Sequence, residues 1–222
     1  MFYPMSHFAQ KYYRCNFIYG FEYHFVDFRW LSHYDTSPGF SQEAFHHLQE
    51  RCRASHDGAL EVALMVDAMG IRKQVVWDSK RQCHVGYVDY GAGPDPLKTE
   101  EASEALVFMV VAVKSHWKEP IAYFLTRGVP GYALAQLVIH AMERLYEIGV
   151  SVISLTLDGH QSNQAAVKIL GASLKGEVRS TFKHPSNPNI DVCVFFDACH
   201  MIKLIRNSLH AYGEPLKFLR LT

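Results

Sequence analysis

The chain has 222 residues, which is enough for one large domain with a substantial hydrophobic core. Lysine plus arginine equals aspartate plus glutamate, at 22 each, so the formal net charge is zero. A dedicated nucleic-acid-binding protein is usually basic, with clustered lysine and arginine. Because that pattern is absent, any contact with DNA must rely on local patches, on metal ions or on another part of a larger protein.

The cysteines and the apolar runs exclude further classes of protein. The five cysteines form no Cys-x-x-Cys pair, and their number is odd, so neither a structural zinc site nor a disulfide framework is predicted. A reducing, intracellular compartment is the expected location. No secretory signal and no run of ~20 apolar residues is present, so no membrane partner is expected. The spacing of Cys193, Cys199 and His200 does not match a standard zinc site.

The first thirty residues contain twelve of the 29 aromatic residues but show no helix or strand period. Two interpretations stay open for residues 1–30: an irregular segment packed on the core, or sequence from outside the original reading frame of the domain. Residues 31–58 are predicted to be a helical lead-in. Within it Ser41 is a candidate N-cap, and the helix is expected to run to about Arg53.

Short apolar runs follow, and they indicate strands of an antiparallel meander. The first run ends at Asp67, and the last either extends the preceding strand or follows it. A loop occupies residues 91–104. The predicted strands are residues 59–66, 73–78, 84–91, 105–113 and 119–126.

The second half alternates between helix and strand. A helix is predicted between Pro130 and Gly149, and the next strand ends at Asp158. Strand–helix–strand units require parallel strands with right-handed crossovers. The expected fold is therefore α/β, with an antiparallel meander followed by βαβα units in one mixed sheet and helices on both faces. This order fits the RNase H-like fold and other mixed α/β folds. The remaining predicted elements are strands 150–157 and 192–196 and helices 161–170 and 199–212.

Three buried strands are followed by an aspartate, at Asp67, Asp158 and Asp197. Each alone could be a helix N-cap or a turn residue. Together they would lie at the carboxyl ends of central strands, where ligand sites of open α/β sheets are found. Carboxylates gathered there repel unless a cation or a shared proton intervenes. Mg²⁺ prefers such oxygen ligands, and two ions can serve phosphoryl transfer.

Polar side chains near these aspartates are further candidates. Asn163 could bond the backbone at the end of the strand, which we favour, or it could orient the Asp158 carboxylate. On the last helix His200, Lys203 and Asn207 share one face, with Arg206 beside it. This face is either simply solvated or in contact with phosphates.

Several long runs resemble the catalytic domain of P-element-type transposases, including those of THAP-domain proteins. The resemblance covers residues 31–212, with the motifs in the family's order. SLTLDGHQSN is similar to the second acidic motif, and Trp117, Lys118 and Pro120 match a Trp-Lys-x-Pro element. The other matching runs are LSHYDTSPGFSQEAFHHL (31–48), LMVDAMGIRKQVVWDSKRQCHVGYVDYG (64–91), ALVFMVVAVKSHWKEPIAYFLT (105–126) and FKHPSNPNIDVCVFFDACHMIKLIRN (182–207).

The resemblance implies an RNase H-like domain that cuts and joins DNA with three acidic residues and Mg²⁺ or Mn²⁺. Asp67 and Asp158 would be the first two acids and would hold the metal. The DNA ends of a transposon would be the partner, in the nucleus, with a homo-oligomer also implied. Supporting or structural roles would belong to the remaining signature residues, Asn163, Asp197, His200, Lys203, Arg206 and Asn207.

The departures from the family pattern limit what can be carried over. The family's third acid is a glutamate beyond a large nucleotide-binding insertion, and this chain stops at Thr222, where the insertion would begin. Neither the GTP site nor the zinc-coordinating DNA-binding domain can be assigned. The expectation is therefore a partial RNase H-like domain over 59–213, incomplete at its C-terminus and followed by a tail at 214–222, that is inactive alone.

Two other functions stay open. The first is a repurposed, non-catalytic module that binds protein or DNA. Loss of the acidic pair would favour it, but both aspartates are present. The second is a complete nuclease that takes its third acid from Glu214, Asp197 or Asp89.

Overall fold

The structure, a computed structural model, describes residues 37–55, 60–79, 81–93, 100–173 and 177–212. The predictions for residues 1–30, for Glu214 and for the tail lie outside these ranges. The strands are β1 (Gly39–Phe40), β2 (Leu60–Gly70), β3 (Val76–Asp78), β4 (Cys83–Val85), β5 (Glu104–Ala112), β6 (Lys118–Thr126), β7 (Val150–Leu157), β8 (Thr181–His184) and β9 (Asn187–Phe196). The helices are α1 (Gln42–Ala54), α2 (Gly131–Glu147), α3 (Gln161–Leu170) and α4 (Ala198–Tyr212).

A seven-stranded sheet forms the centre of the described chain, in the order β1-β6-β5-β2-β7-β9-β8. Strand β2 is antiparallel to β5 but parallel to β7, and β7 is parallel to β9. The helices α2 and α3 make the two crossovers between parallel strands. The predicted α/β fold, an antiparallel meander followed by βαβα units in one mixed sheet, is confirmed.

The composition of the meander differs from the prediction. Strands form within residues 73–78 and 83–91, as β3 and β4, and they pair antiparallel across a turn. Their expected place in the meander of the main sheet is wrong, because β3 and β4 make a separate two-stranded sheet. Val76 and Trp77 are exposed, so this hairpin has no buried face to pack on the main sheet. The meander consists of β2, β5 and β6. Strand β8 was not predicted, because its four residues are too few to show an alternation of apolar and polar side chains.

The helices follow the sequence signals closely. The Ser41 hydroxyl accepts a hydrogen bond from the Ala44 backbone N–H at 3.2 Å and begins α1, as predicted. Gly171 ends α3 in the left-handed region, with φ of 109°, where glycine pays no steric cost. Among the described residues, no helix is long and apolar enough to cross a lipid bilayer.

One core lies between the sheet and three of the helices. On β2, Val62, Leu64 and Val66 point into this core, and α1, α2 and α3 contribute buried residues to it. Because side chains alternate along a strand, Met65 and Asp67 lie on the other side of β2, where both are exposed. The alternation therefore delivers an aspartate to an accessible surface in the middle of the sheet.

His184 is a buried histidine at the turn between β8 and β9, only 1% exposed. Its Nδ1 accepts a hydrogen bond from the Ser186 N–H at 3.2 Å, so the proton of the neutral ring lies on Nε2. No described residue bonds Nε2. Burial lowers the pKa of His184, and the nearby charge of Glu143 only partly offsets this.

The lowered pKa of His184 predicts a loss of stability in acid. The unfolded chain binds this proton more readily than the folded chain, so stability falls as the pH drops below about 6.5, the ordinary histidine value. His184→Leu is expected to flatten the curve of unfolding free energy against pH between about 5 and 7. His116→Gln, at an exposed position, is the control. The unfolding free energy is measured by urea denaturation at each pH. If it changes with pH equally steeply in wild type and in His184→Leu, the prediction is contradicted.

Candidate metal site

Asp67 does not end its strand, contrary to the prediction. Strand β2 continues to Gly70 because its backbone stays paired with β5, with Asp67 opposite Val107. The parallel pairing with β7 stops earlier, at Met65 opposite Thr156. Asp67 therefore lies on a continuing strand at the point where its parallel neighbour is ending.

Asp158 directly follows β7, as predicted. Its Oδ1 accepts hydrogen bonds from the backbone N–H of His160 at 2.8 Å and from the side-chain amide of Asn163 at 2.5 Å. The same amide approaches the Asp158 carbonyl oxygen at 3.4 Å. Asn163 therefore makes both contacts considered from the sequence, and the contact with the carboxylate, not the favoured one with the backbone, is the closer.

Asp197 directly follows β9 and begins α4. Its Oδ1 accepts a hydrogen bond from the Cys199 N–H at 2.9 Å, and its carbonyl oxygen accepts one from the Met201 N–H. This is the geometry of a helix N-cap. Its own N–H donates to the Leu157 carbonyl at 2.8 Å, which fixes Asp197 beside the end of β7.

Strand register brings the three aspartates into one row. Continuing the β2–β7 register by two residues sets Asp67 opposite Asp158. Continuing the β7–β9 register by one residue sets Asp158 opposite Asp197. Neighbouring strands are about 4.8 Å apart, so this register sets the backbones of successive aspartates side by side.

The electrostatics of Asp67 reflect this crowding. Its pKa is raised above the ordinary value, first because loss of water around the carboxylate disfavours the charged form. The charges of Asp158 and Asp197 raise it further, while the Ala68 N–H and His200 act in the opposite direction. Loss of water is thus the main cost of a charged Asp67, and the two neighbouring carboxylates add to it.

One residue of the predicted polar face on α4, His200, lies near an acid of the row. His200 is close enough to Asp67 to influence its pKa, whereas Lys203, Arg206 and Asn207 are exposed. Arg206 donates a hydrogen bond to Asn207 at 3.2 Å. All four side chains are accessible to a ligand or to solvent.

Helix α4 packs against the turn that follows Asp158. A Cβ atom added to Gly159 would lie 3.2 Å from Met201 Sδ and 3.5 Å from Leu204 Cδ1. This contact holds α4 beside the turn that follows Asp158.

The described residues do not form a complete metal cage. Within them, no group of three or more His, Cys, Asp and Glu side chains is arranged to hold one ion. Cys193, Cys199 and His200 accordingly do not make such a group. Asp89, a third-acid candidate, pairs its backbone with Leu125 of β6, and its Oδ1 holds the loop at Gly91. Strand β5 separates β6 from β2, so Asp89 is not part of the row.

Sequence reasoning missed the groups that hold the Asp158 turn. The His160 N–H and the Gln164 amide, which donates to the Gly159 carbonyl at 2.9 Å, were not singled out. The available signal was the spacing of polar amides five and six residues beyond the aspartate, in the first turn of a helix.

The strand order and the parallel centre define an RNase H-like α/β domain. A family model described as "TNP-like, RNase H N-terminal domain" matches residues 36–171, more than half of the chain. The chain therefore belongs to that family, and with its relatives to the P-element-type transposases.

Two curated relatives support this assignment. "DNA transposase THAP9" of Homo sapiens is 33% identical over 192 residues, which cover 86% of this chain and 21% of the relative. "Transposable element P transposase" of Drosophila melanogaster is 30% identical over 135 residues, covering 60% of this chain and 17% of the relative. The chain thus spans about a fifth of the length of these relatives.

A solved structure shows the same fold. The "Drosophila P element transposase strand transfer complex" superposes with a TM-score of 0.62 at 23% identity, covering 90% of this chain and 40% of that one. This match confirms the RNase H-like fold expected from the order of the elements.

Proposed function

We propose that this chain supplies the part of a P-element-type transposase that holds a divalent cation between Asp67 and Asp158, for cleavage and joining of DNA. The observation that carries the proposal is the β2–β7 register, which sets Asp67 opposite Asp158 when it is continued by two residues. Family membership gives the substrate class, and the ends of transposon DNA in the nucleus are the proposed partner and location.

The donor set suits a hard cation such as Mg²⁺ or Mn²⁺. Both side chains offer only oxygen ligands, and a bound cation would offset the loss of water and the repulsion by Asp158 that raise the pKa of Asp67. When bound, such an ion would activate a hydroxyl nucleophile and neutralise charge on the phosphate oxygens. The accessible polar face of α4 is proposed to bind DNA phosphates through His200, Lys203 and Arg206.

We further propose that the 222-residue chain does not complete strand transfer alone. Among the described residues, the carboxylate that adjoins the pair is Asp197, and its Oδ1 is committed to capping α4. Asp197 therefore has a structural role in this proposal. The third acid and the GTP site are assigned to none of the residues that the structure describes.

Nicking of a supercoiled plasmid with Mg²⁺ or Mn²⁺ tests the proposal, together with the Tm at rising Mn²⁺ concentration. We expect little nicking and a Tm that rises with Mn²⁺, because the cation binds only the folded chain. Asp67→Ala and Asp158→Ala are each expected to remove the rise, while Asp191→Ala, an exposed position on β9, retains it.

Two outcomes would contradict parts of this proposal separately. Robust nicking that either substitution abolishes would refute inactivity of the isolated chain. A wild-type Tm that ignores Mn²⁺ would refute the cation site and favour the non-catalytic alternative.

A further inference from the structure

We infer that Asn163 is a positioning residue for the cation site, which it serves by locking the Asp158 carboxylate in one orientation. This inference rests on the proposed function and assigns one of its parts to a specific atom. Asn163 is the third residue of α3, and its side chain is partly buried against the turn that follows β7.

The hydrogen bonds of Asn163 restrict rotation of Asp158. One amide group contacts both the carbonyl oxygen and Oδ1 of the same aspartate, at 3.4 and 2.5 Å. Turning the carboxylate about the Cα–Cβ bond would move Oδ1 away and break the closer contact. The His160 N–H donates to the same Oδ1 at 2.8 Å, so both donors select one rotamer.

The two carboxylate oxygens of Asp158 have different surroundings. Oδ1 receives both protein donors, and Oδ2 receives no hydrogen bond from the described residues. Oδ2 is thereby kept for a ligand. A ligating carboxylate is typically held by such hydrogen bonds, and removing the partner costs about 10–100-fold in metal affinity.

The neighbouring residue Gln164 offers a matched control. Its side-chain amide extends from the same turn of α3 to the same loop, but it donates to the backbone carbonyl of Gly159 at 2.9 Å. Gln164 can stabilise the loop but does not touch the carboxylate. A merely structural role for Asn163 therefore predicts equal behaviour of the two residues.

Binding of Mn²⁺, followed by electron paramagnetic resonance of the free ion, is the direct test. Asn163→Ala and the bulkier Asn163→Leu are expected to raise the Mn²⁺ Kd by about 10-fold or more. Gln164→Ala is expected to leave the Kd at the wild-type value. Thermal unfolding in EDTA supplies the readout for the fold, with similar Tm decreases for Asn163→Ala and Gln164→Ala.

The outcomes separate the inference from the proposed function. If wild type binds Mn²⁺ and the Asn163 variants bind it equally well, the positioning role is overturned and the cation site stands. Equal weakening by Gln164→Ala would show a purely structural effect and would also overturn the inference. If wild type binds no Mn²⁺, the proposed site and the positioning role fail together.

Discussion

Asp67→Asn is expected to make the metal-free protein more stable. The raised pKa of Asp67 means that its charged form is disfavoured in the fold, by loss of water and by Asp158 and Asp197. Asparagine keeps the shape and removes the charge. Because Asp67 is exposed, solvent screening limits the gain to ~1 kcal/mol, which is a Tm rise of about 2–4 °C for a chain of this size.

The pH dependence gives this prediction a definite sign. A carboxyl group with a raised pKa binds its proton more tightly in the folded chain, so the stability it confers when protonated is lost as the pH rises through that pKa. The advantage of Asp67→Asn should therefore be absent in strong acid and grow above pH ~4, the ordinary aspartate value. The same variant should show no rise in Tm with Mn²⁺.

The control for Asp67→Asn is Asp191→Asn. Asp191 on β9 pairs with Lys183 at 3.0 Å, so its substitution removes an attraction instead of a repulsion. We expect an unchanged or slightly lower Tm for it. A Tm decrease for Asp67→Asn in EDTA at neutral pH would show that the charge of Asp67 does not destabilise the metal-free protein.

Gly131→Ala is expected to destabilise the protein, because α2 and α3 pack against each other at this glycine. An added Cβ would lie 2.6 Å from the Ala165 Cβ, 2.8 Å from the Ser162 carbonyl oxygen and 3.0 Å from the Ala166 nitrogen. Two of these atoms are backbone and cannot rotate away, so the helices must separate. Overpacking of this kind costs about 1–3 kcal/mol.

The same clash should also weaken Mn²⁺ binding at the proposed cation site. Ser162 precedes Asn163 in α3, so a displaced α3 moves the amide that holds Asp158. We expect both a lower urea midpoint and a weaker Mn²⁺ response for Gly131→Ala. Gly70→Ala is the matched control, because its added Cβ meets nothing within 4 Å. Equal midpoints for the two variants would refute the role assigned to the helix contact.

The bounds of helices and strands were predicted best where burial and backbone geometry determine the type of residue at a position. The 3.6-residue period and a terminal glycine placed α2 and α3 within a residue or two. Strand β7 was predicted with its observed bounds, since its apolar run stops where its pairing stops. Asp158 was therefore placed correctly as the residue that follows a buried strand.

The sequence predicted poorly where backbone pairing continues without burial. Residues Ala68 to Gly70 extend β2 through hydrogen bonds with β5, which apolar patterning does not report. For that reason Asp67 was expected at the end of a strand. The closer contact of Asn163 with the carboxylate was also out of reach, because it depends on how α3 docks after the turn.

The pairing of β2 with β7 also bears on how the chain folds. Asp67 and Asp158 lie about 90 positions apart in the sequence, so bringing them together closes a long loop, at an entropic cost that rises slowly with loop length. The β2–β5 pairs of the meander join residues that are closer in sequence, from Gly70 with Glu104 to Val62 with Ala112, so their closure costs somewhat less. We expect the proposed cation site to form after the meander, so Mn²⁺ should slow unfolding more than it speeds folding.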